Sequence, residues 1–185
     1  MSKVSVSIFL AIGLPILILL SLLLGSVELP LKAFFGAADE MQELIILESR
    51  IPRTVAALLG GAALSLGGLF MQTLFRNPLA GPSVLGLTSG SSLAVAILTL
   101  GGGVQVVSQW GVIPAAAGGA FLVLLIILAV ANRFADVASV LIVGLMLSFF
   151  TSAAVSLLQA SANDSSLKAF VFWGFGSFSN ISFSQ

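Results

Sequence analysis

Long apolar stretches separated by polar breaks dominate this chain. Five of these stretches are each long enough to form a helix across a bilayer, which takes roughly 20 residues. They lie at about residues 6–24, 54–75, 84–100, 112–131 and 137–159. The pattern predicts an all-α fold, a polytopic transmembrane helical bundle of about five spans.

The polar breaks between these spans differ in length. The break over residues 25–49 carries several acidic side chains, which predicts a water-exposed segment with a short amphipathic helix at about residues 39–47. The breaks at 76–82 and 132–136 are short and predict tight connections between consecutive helices. The segment 161–177 is rich in glycine and too short for a sixth span.

Composition narrows the class of protein. The chain is 58% hydrophobic and 8% charged, with a mean hydropathy of +1.18 and no net charge, which indicates an integral membrane protein without an electrostatic footprint for nucleic acid. It contains no cysteine and no histidine, so we expect no metal site, cofactor or histidine-based catalytic triad. No charged residue lies in the middle of a span, which argues against a proton-coupled carrier. The chain also lacks a G-x-x-x-x-G-K-[ST] loop, so we expect no nucleotide hydrolysis. Its sequence offers no nucleophile–base pair or metal cluster, so we expect no other enzymatic activity.

The number of basic residues on each side of the membrane does not by itself decide how the chain is oriented in the membrane. With a cytoplasmic amino terminus, three of them would lie inside and four outside. Those inside would be Lys3, Arg76 and Arg133, and those outside would be Lys32, Arg50, Arg53 and Lys168. The positive-inside rule gives most weight to short loops, and Arg76 and Arg133 lie in the two short connections, so we prefer the cytoplasmic amino terminus.

Small residues recur at helical spacing on three spans. They are Gly61 and Ser65 on the second span, Gly86 and Gly90 on the third, and Gly144 and Ser148 on the fifth. Stripes of this kind let helix backbones approach closely, and packing then drives helix association. The same faces could instead line a substrate path, where small side chains leave room and serine hydroxyls offer hydrogen bonds. Both interpretations remain open, with packing favoured.

Two sequence blocks resemble a known family. The first runs from Arg50-Ile-Pro-Arg-Thr-Val through a glycine-rich stretch to Gln72, and the second is Arg76-Asn-Pro-Leu-Ala-Gly-Pro-Ser-Val-Leu-Gly-Leu-Thr-Ser-Gly90. Both closely resemble the permease subunits of ABC importers for iron–siderophore complexes, haem and cobalamin. The resemblance continues through Arg133-Phe-Ala, Val143-Gly-Leu and the stretch 172–177, and so covers nearly the whole chain.

The resemblance implies a pore-forming subunit rather than an enzyme. Its expected partners are a pair of ATPase subunits, an extracytoplasmic substrate-binding protein, a second permease copy and membrane lipid, in the cytoplasmic (inner) membrane of a bacterium. Family members have about ten spans and a coupling loop in the carboxyl-terminal half. We therefore expect residues 1–185 to be a single transmembrane permease domain that corresponds to the amino-terminal half and lacks that loop. The alternatives are a small oligomeric membrane protein and a truncated, non-transporting remnant.

Candidate site residues follow from the same resemblance. The arginines at the positions of Arg50 and Arg53 would face the outside and meet acidic residues of the binding protein. Simple anchoring at the membrane interface, or ion pairs with Glu43 or Glu48, would also account for them. An arginine–carboxylate pair is directional, which suits specific docking.

The turn that follows the second span resembles the family's element near the cytoplasmic constriction of the pathway. The resemblance places Gln72, Asn77, Pro78 and Leu79 at this pathway or gate. Prolines 78 and 82 predict a rigid, non-helical turn whose polar groups must face protein or water. Asn77 could equally cap the turn, and Leu79 could equally be a packing residue.

Overall fold

The chain is helical in nearly all of the part that the structure describes. That part comprises residues 3–25, 27, 29–30, 39–78, 81–102, 109–133, 136–178 and 181 of a computed structural model. Its α-helices are α1 (Lys3–Leu23), α2 (Glu40–Ile45), α3 (Ile51–Leu74), α4 (Leu87–Ala96), α5 (Gln109–Arg133), α6 (Val137–Ser161) and α7 (Asp164–Phe175). No strand occurs within these ranges, so the all-α prediction is confirmed.

All five predicted spans fall on helices. Three continuous helical stretches of the described chain are long and apolar enough to cross a membrane: Glu40–Leu74, Gly111–Arg133 and Ala138–Ser161. The apolar parts of the other two, Ser7–Leu23 and Leu87–Gly101, are shorter. Five crossings therefore remain a prediction. The helical segment α7 has 12 residues, which agrees with the expectation that it is too short for a sixth span.

The helix that contains the second span begins before that span, because it is continuous with the predicted amphipathic helix. The predicted amphipathic helix is present as α2, which begins at Glu40 and has glutamates in its first turn, where they suit the positive end of the helix dipole. A π-helical turn, Ile46–Arg50, then joins α2 directly to α3. In this turn the amide of Ile51 donates to the carbonyl oxygen of Ile46, five residues back. The wider turn lies just before Pro52, whose ring would clash with the carbonyl four residues earlier in a regular α-helix.

The described residues belong to two compact units. The first comprises residues 1–63 and 177–185, and the second comprises residues 64–176. The first has a small core in which Leu29 and Ile46 are buried with Ile45 and Ile51 against them. The single-domain interpretation stays a prediction.

The second unit is built around α4, which packs against both α5 and α6. One buried cluster contains Leu85, Val123, Ile127 and Val140. Another contains Val95, Ala96, Val112 and Phe170, so that α7 also packs onto this unit through Phe170. A 3-10 turn, Pro82–Leu85, leads into α4 through Gly86, whose φ of 77° is in the left-handed region that favours glycine.

Candidate functional site

Arg50 points into the first unit. It is only 7% exposed, and its guanidinium donates hydrogen bonds to the carbonyl oxygens of Leu22, Leu23 and Val27. The bond from Nη1 to Leu23 O measures 2.7 Å. Leu22 and Leu23 are the last two residues of α1, so Arg50 satisfies carbonyls that have no partner within their own helix. Sequence reasoning did not predict these contacts, because nothing in the local pattern shows which chain segment an arginine will meet.

Two further contacts surround Arg50. A Cβ on Gly25 would lie 3.0 Å from the Arg50 Nη2 atom and 3.2 Å from Cζ, so this position leaves little room for a side chain. The buried Thr54 hydroxyl donates to the Arg50 carbonyl oxygen at 2.8 Å and lies 3.0 Å from the Ser21 hydroxyl. The end of α1 is thus tied to the start of α3 both through the guanidinium and through the Ser21–Thr54 hydroxyl pair.

Arg53 is placed differently from Arg50. Its side chain is exposed, and it makes no hydrogen bond or ion pair with the residues that the structure describes. It lines a small cavity of about 110 Å³ together with Ser49, Arg50 and Gly25. Of the two predicted docking arginines, Arg53 therefore has the accessible guanidinium.

The turn that ends α3 forms a Schellman motif. The amide of Asn77 donates to the carbonyl oxygen of Gln72 at 3.1 Å, and the amide of Arg76 donates to that of Thr73 at 3.3 Å. Arg76 occupies the left-handed position of the motif with a φ of 47°, where glycine is usual. Pro78 follows and prevents the helix from continuing. Asn77 therefore caps the helix with its backbone amide.

The predicted gate residues lie around this motif. Gln72, Asn77 and Pro78 are all exposed, and Leu79 lies outside the described residues. On the same turn, Met71 and Phe75 pack against the buried cluster of Leu85, Val123, Ile127 and Val140. The apolar side chains of the turn thus hold it to the second unit, while its polar residues remain accessible.

Four of the predicted packing residues lie at two helix contacts. A Cβ on Gly86 would lie 2.8 Å from the Ser148 hydroxyl oxygen and 3.0 Å from the Gly144 carbonyl oxygen, so the start of α4 lies directly on α6. A Cβ on Gly90 would lie 2.7 Å from the carbonyl oxygen of Gly119 on α5. Sequence reasoning missed Gly119, although the Gly118–Gly119 pair within an apolar span was a signal for it.

The stripe on the second span behaves differently. A Cβ on Gly61 would have no atom within 4 Å among the described residues, and Ser65 is exposed.

No group of three acidic, cysteine or histidine side chains within the described ranges could hold a metal ion.

Comparison with known proteins identifies the family. Residues 13–185 match the FecCD transport family, a range that includes every candidate site residue. The chain belongs to the FecCD transport family. This membership accounts for the resemblance of the two sequence blocks.

Individual relatives match this chain in sequence, and a solved structure matches its fold. The vitamin B12 import system permease protein BtuC of Klebsiella pneumoniae is 34% identical over 178 residues, which cover 94% of this chain and 52% of the relative. The ferric enterobactin transport system permease protein FepD of Escherichia coli is 45% identical over 104 residues, which cover 50% of this chain and 31% of the relative. A solved structure of an inward-facing, metal-chelate type ABC transporter has a TM-score of 0.82 at 30% identity and covers 97% of this chain and 56% of that chain. The chain spans about half the length of the curated vitamin B12 permease that it matches along almost its whole length.

Proposed function

We propose that this chain forms part of the substrate pathway in the permease subunit of a binding-protein-dependent ABC importer. The observation that carries the proposal is the structural match to a metal-chelate type ABC transporter, with a TM-score of 0.82 over 97% of the chain. The relatives named as vitamin B12 and ferric enterobactin permeases support the same activity. The chain itself would hydrolyse no ATP.

The proposed partners follow from this activity. They are a pair of ATPase subunits, an extracytoplasmic binding protein and a second permease copy that completes a homodimer. The assembly would lie in the bacterial inner membrane with the amino terminus of this chain in the cytoplasm. In that orientation Arg53 faces outward and Arg76 faces the cytoplasm, and Arg76 follows the positive-inside rule.

The substrate would be a large metal chelate or corrinoid. An iron–siderophore complex is the first choice, with cobalamin or haem as the other members of the class. The match to FepD has the higher identity, and the match to BtuC covers more of the chain, so both types of cargo belong in the first test.

The polar residues at the end of α3 would belong to the pathway or its gate. Gln72, Asn77 and Pro78 are exposed, and the Schellman motif fixes the backbone that carries them. Leu79, the next residue in the sequence, would be a gate residue as well. A rigid turn with accessible polar groups at the end of an apolar helix suits a constriction that lines a water-filled path.

The test is uptake of radiolabelled ferric enterobactin and of radiolabelled cobalamin by cells with and without the native locus. We expect deletion to abolish uptake of one of the two, and an inactive ATPase subunit to do the same. In proteoliposomes that contain the reconstituted importer, collapse of a proton gradient should leave ATP-driven uptake unchanged. Normal uptake of both compounds, and of radiolabelled haem measured in the same way, after deletion would contradict the proposal.

A second measurement addresses the gate. Gln72→Ala should lower the uptake rate, because it removes an exposed amide from the pathway, whereas Leu74→Ala should leave the rate near normal. Leu74 is the matched control because it lies two residues away on the same helix and is 68% exposed. Equal uptake by the two variants would remove Gln72 from the pathway.

A further inference from the structure

Arg76 lies beside the proposed gate, at the position of the Schellman motif that glycine usually takes. We propose that Arg76 is a specificity-determining residue, which holds a positive charge at the cytoplasmic end of the pathway and favours an anionic metal chelate over an uncharged corrinoid. The inference rests on the proposed function and narrows its substrate class.

The backbone of Arg76 carries the first step. With a φ of 47°, it is the one non-glycine residue that has a positive φ in the described part of the chain. Glycine would adopt this conformation without the steric cost that a Cβ adds. The Schellman bonds to Gln72 and Thr73 come from backbone amides, so the motif itself does not need an arginine. Strained residues persist where they have a function, which here points to the guanidinium.

The side chain carries the second step. Arg76 is exposed, and its side chain makes no hydrogen bond or ion pair with the residues that the structure describes. No acidic residue lies between Glu48 and Asp136 in the sequence, and the Asp136 carboxylate already accepts from the amide and hydroxyl of Ser139. Because arginine stays protonated at physiological pH, the turn presents a permanent positive charge that has no counterion among the described residues.

Arg133 separates this role from simple orientation in the membrane. It is exposed in the last turn of α5, where the negative end of the helix dipole suits a cation. The positive-inside rule and contacts with anionic lipid require only a basic residue on the cytoplasmic side, and Arg133 meets that requirement without a positive φ. The strained position of Arg76 therefore favours a function in the pathway over one at the lipid surface.

The charge of the substrate decides what a cation at this end contributes. An anion that moves into the cytoplasm works against a membrane potential that is negative inside. A guanidinium at the cytoplasmic end attracts such a substrate and donates paired hydrogen bonds to carboxylate or catecholate oxygens. The ferric complex of a tris-catecholate such as enterobactin is an anion, and haem carries propionates, whereas cyanocobalamin has no net charge.

ATP-driven uptake into proteoliposomes that contain the whole importer tests the selectivity. We expect Arg76→Ala to lower the maximal rate for ferric enterobactin at least roughly tenfold, because the attraction of the anion is lost. KM should stay normal, because the binding protein captures the substrate. Arg76→Lys should keep most of the rate, and Arg133→Ala, the matched arginine outside the proposed gate, should keep all of it.

Arg76→Gly separates function from stability. It removes both the strain and the charge, so it should raise the unfolding temperature and still lower the uptake rate as much as Arg76→Ala does. A damaged fold would instead lower both quantities together.

Thiol modification measures the charge at the turn without any substrate. The chain has no cysteine, so Thr73→Cys places one exposed thiol three residues before Arg76. With any other cysteines of the assembly replaced by serine, its rate of reaction would be compared between anionic methanethiosulfonate ethylsulfonate and cationic methanethiosulfonate ethyltrimethylammonium. Arg76→Ala should lower the ratio of the anionic to the cationic rate, Arg76→Lys should keep it, and added salt should weaken the difference.

The outcomes distinguish a failure of the substrate class from a failure of the proposed function. No uptake of ferric enterobactin, haem or cobalamin by the wild-type importer would overturn the proposed function, and the substrate class with it. Wild-type uptake of cobalamin alone would support the proposed function and overturn the anionic substrate class. A normal rate in Arg76→Ala, or an unchanged ratio of the thiol rates, would overturn the role of Arg76. An equal loss of rate in Arg133→Ala would also overturn it, because both arginines would then act through anionic lipid.

Discussion

The backbone of Gly90 on α4 lies against the backbone of Gly119 on α5. A Cβ on Gly119 would lie 2.7 Å from the Cβ of Ala94 and closer still to the Gly90 carbonyl oxygen. The Ser91 hydroxyl adds a hydrogen bond to the Ala116 carbonyl oxygen at 2.9 Å across the same contact. Without a hydrophobic driving force between helices in lipid, close packing of this kind is what holds two helices together.

Gly119→Ala should therefore destabilise the protein by about 1–3 kcal/mol, the usual cost of an added group in a well-packed site. Gly118→Ala is the matched control, because a Cβ there meets nothing within 4 Å among the described residues. It should be neutral or stabilising by up to about 1 kcal/mol, since alanine is the better helix former. Thermal unfolding in detergent would compare the two variants. Equal midpoints would contradict the close contact.

Arg76 has a left-handed backbone conformation, so replacing it with glycine should stabilise the protein. An L-residue pays about 1–2 kcal/mol in this region, and glycine does not. Arg76→Gly should raise the unfolding temperature, because the Schellman bonds to Gln72 and Thr73 come from the backbone and remain possible. Arg76→Ala is the control, since it removes the charge and keeps the strain. If both variants gained the same stability, the charge rather than the φ angle would be responsible.

Asp136 makes the stability of the start of α6 depend on pH. Its carboxylate accepts from the Ser139 amide at 3.1 Å and from the Ser139 hydroxyl at 3.2 Å. Hydrogen bonds to the backbone amides of Ser139 and then Ala138 hold the pKa of Asp136 below its ordinary value of 3.8. Because the pKa of Asp136 is lower in the folded state than in the unfolded state, the ionised cap stabilises the fold. This contribution is complete when the pH is above the pKa of the unfolded state, and it is lost as the pH falls through the pKa of the folded state.

We therefore expect the wild-type protein to lose this contribution below about pH 4. Asp136→Asn keeps a good cap without a titrating group, so it should lose less stability than the wild type between neutral and acidic pH. Unfolding midpoints of the two proteins over this range would measure the difference. Parallel pH profiles would show that the Asp136 cap contributes nothing to acid sensitivity.

Ser166 on α7 is fully buried, and its hydroxyl oxygen has no hydrogen-bond partner in the described part of the chain. Ser166→Ala should stabilise the protein by about 1 kcal/mol, because it removes a polar atom whose desolvation is not compensated. Ser165→Ala is a suitable comparison, since that exposed hydroxyl bonds Asn163 at 2.8 Å. Destabilisation by Ser166→Ala would indicate that the hydroxyl has a partner after all.

Local sequence determined much of this protein. A long apolar segment in a membrane forms a helix, because its backbone groups must be paired within the segment. The apolar runs therefore predicted where all five helical stretches lie. The block from Arg76 to Gly90 marked the family and the end of α3, since Pro78 prevents the helix from continuing. The predicted non-helical turn was wrong at Pro82, which begins a 3-10 turn, Pro82–Leu85. The sequence pattern did not show that a π-helical turn, Ile46–Arg50, joins the amphipathic helix and the second span into one continuous helix.

Tertiary structure alone decided how closely the singled-out residues are packed. The glycines of α3 and α4 look alike in sequence, yet a Cβ on Gly90 would meet Gly119, whereas a Cβ on Gly61 would have no atom within 4 Å among the described residues. Arg50 and Arg53 look alike as well, yet one bonds the carbonyls of α1 and the other is exposed. Helical periodicity tells which residues share a face. The segment that covers this face depends on contacts between residues far apart in the chain, which no local pattern records.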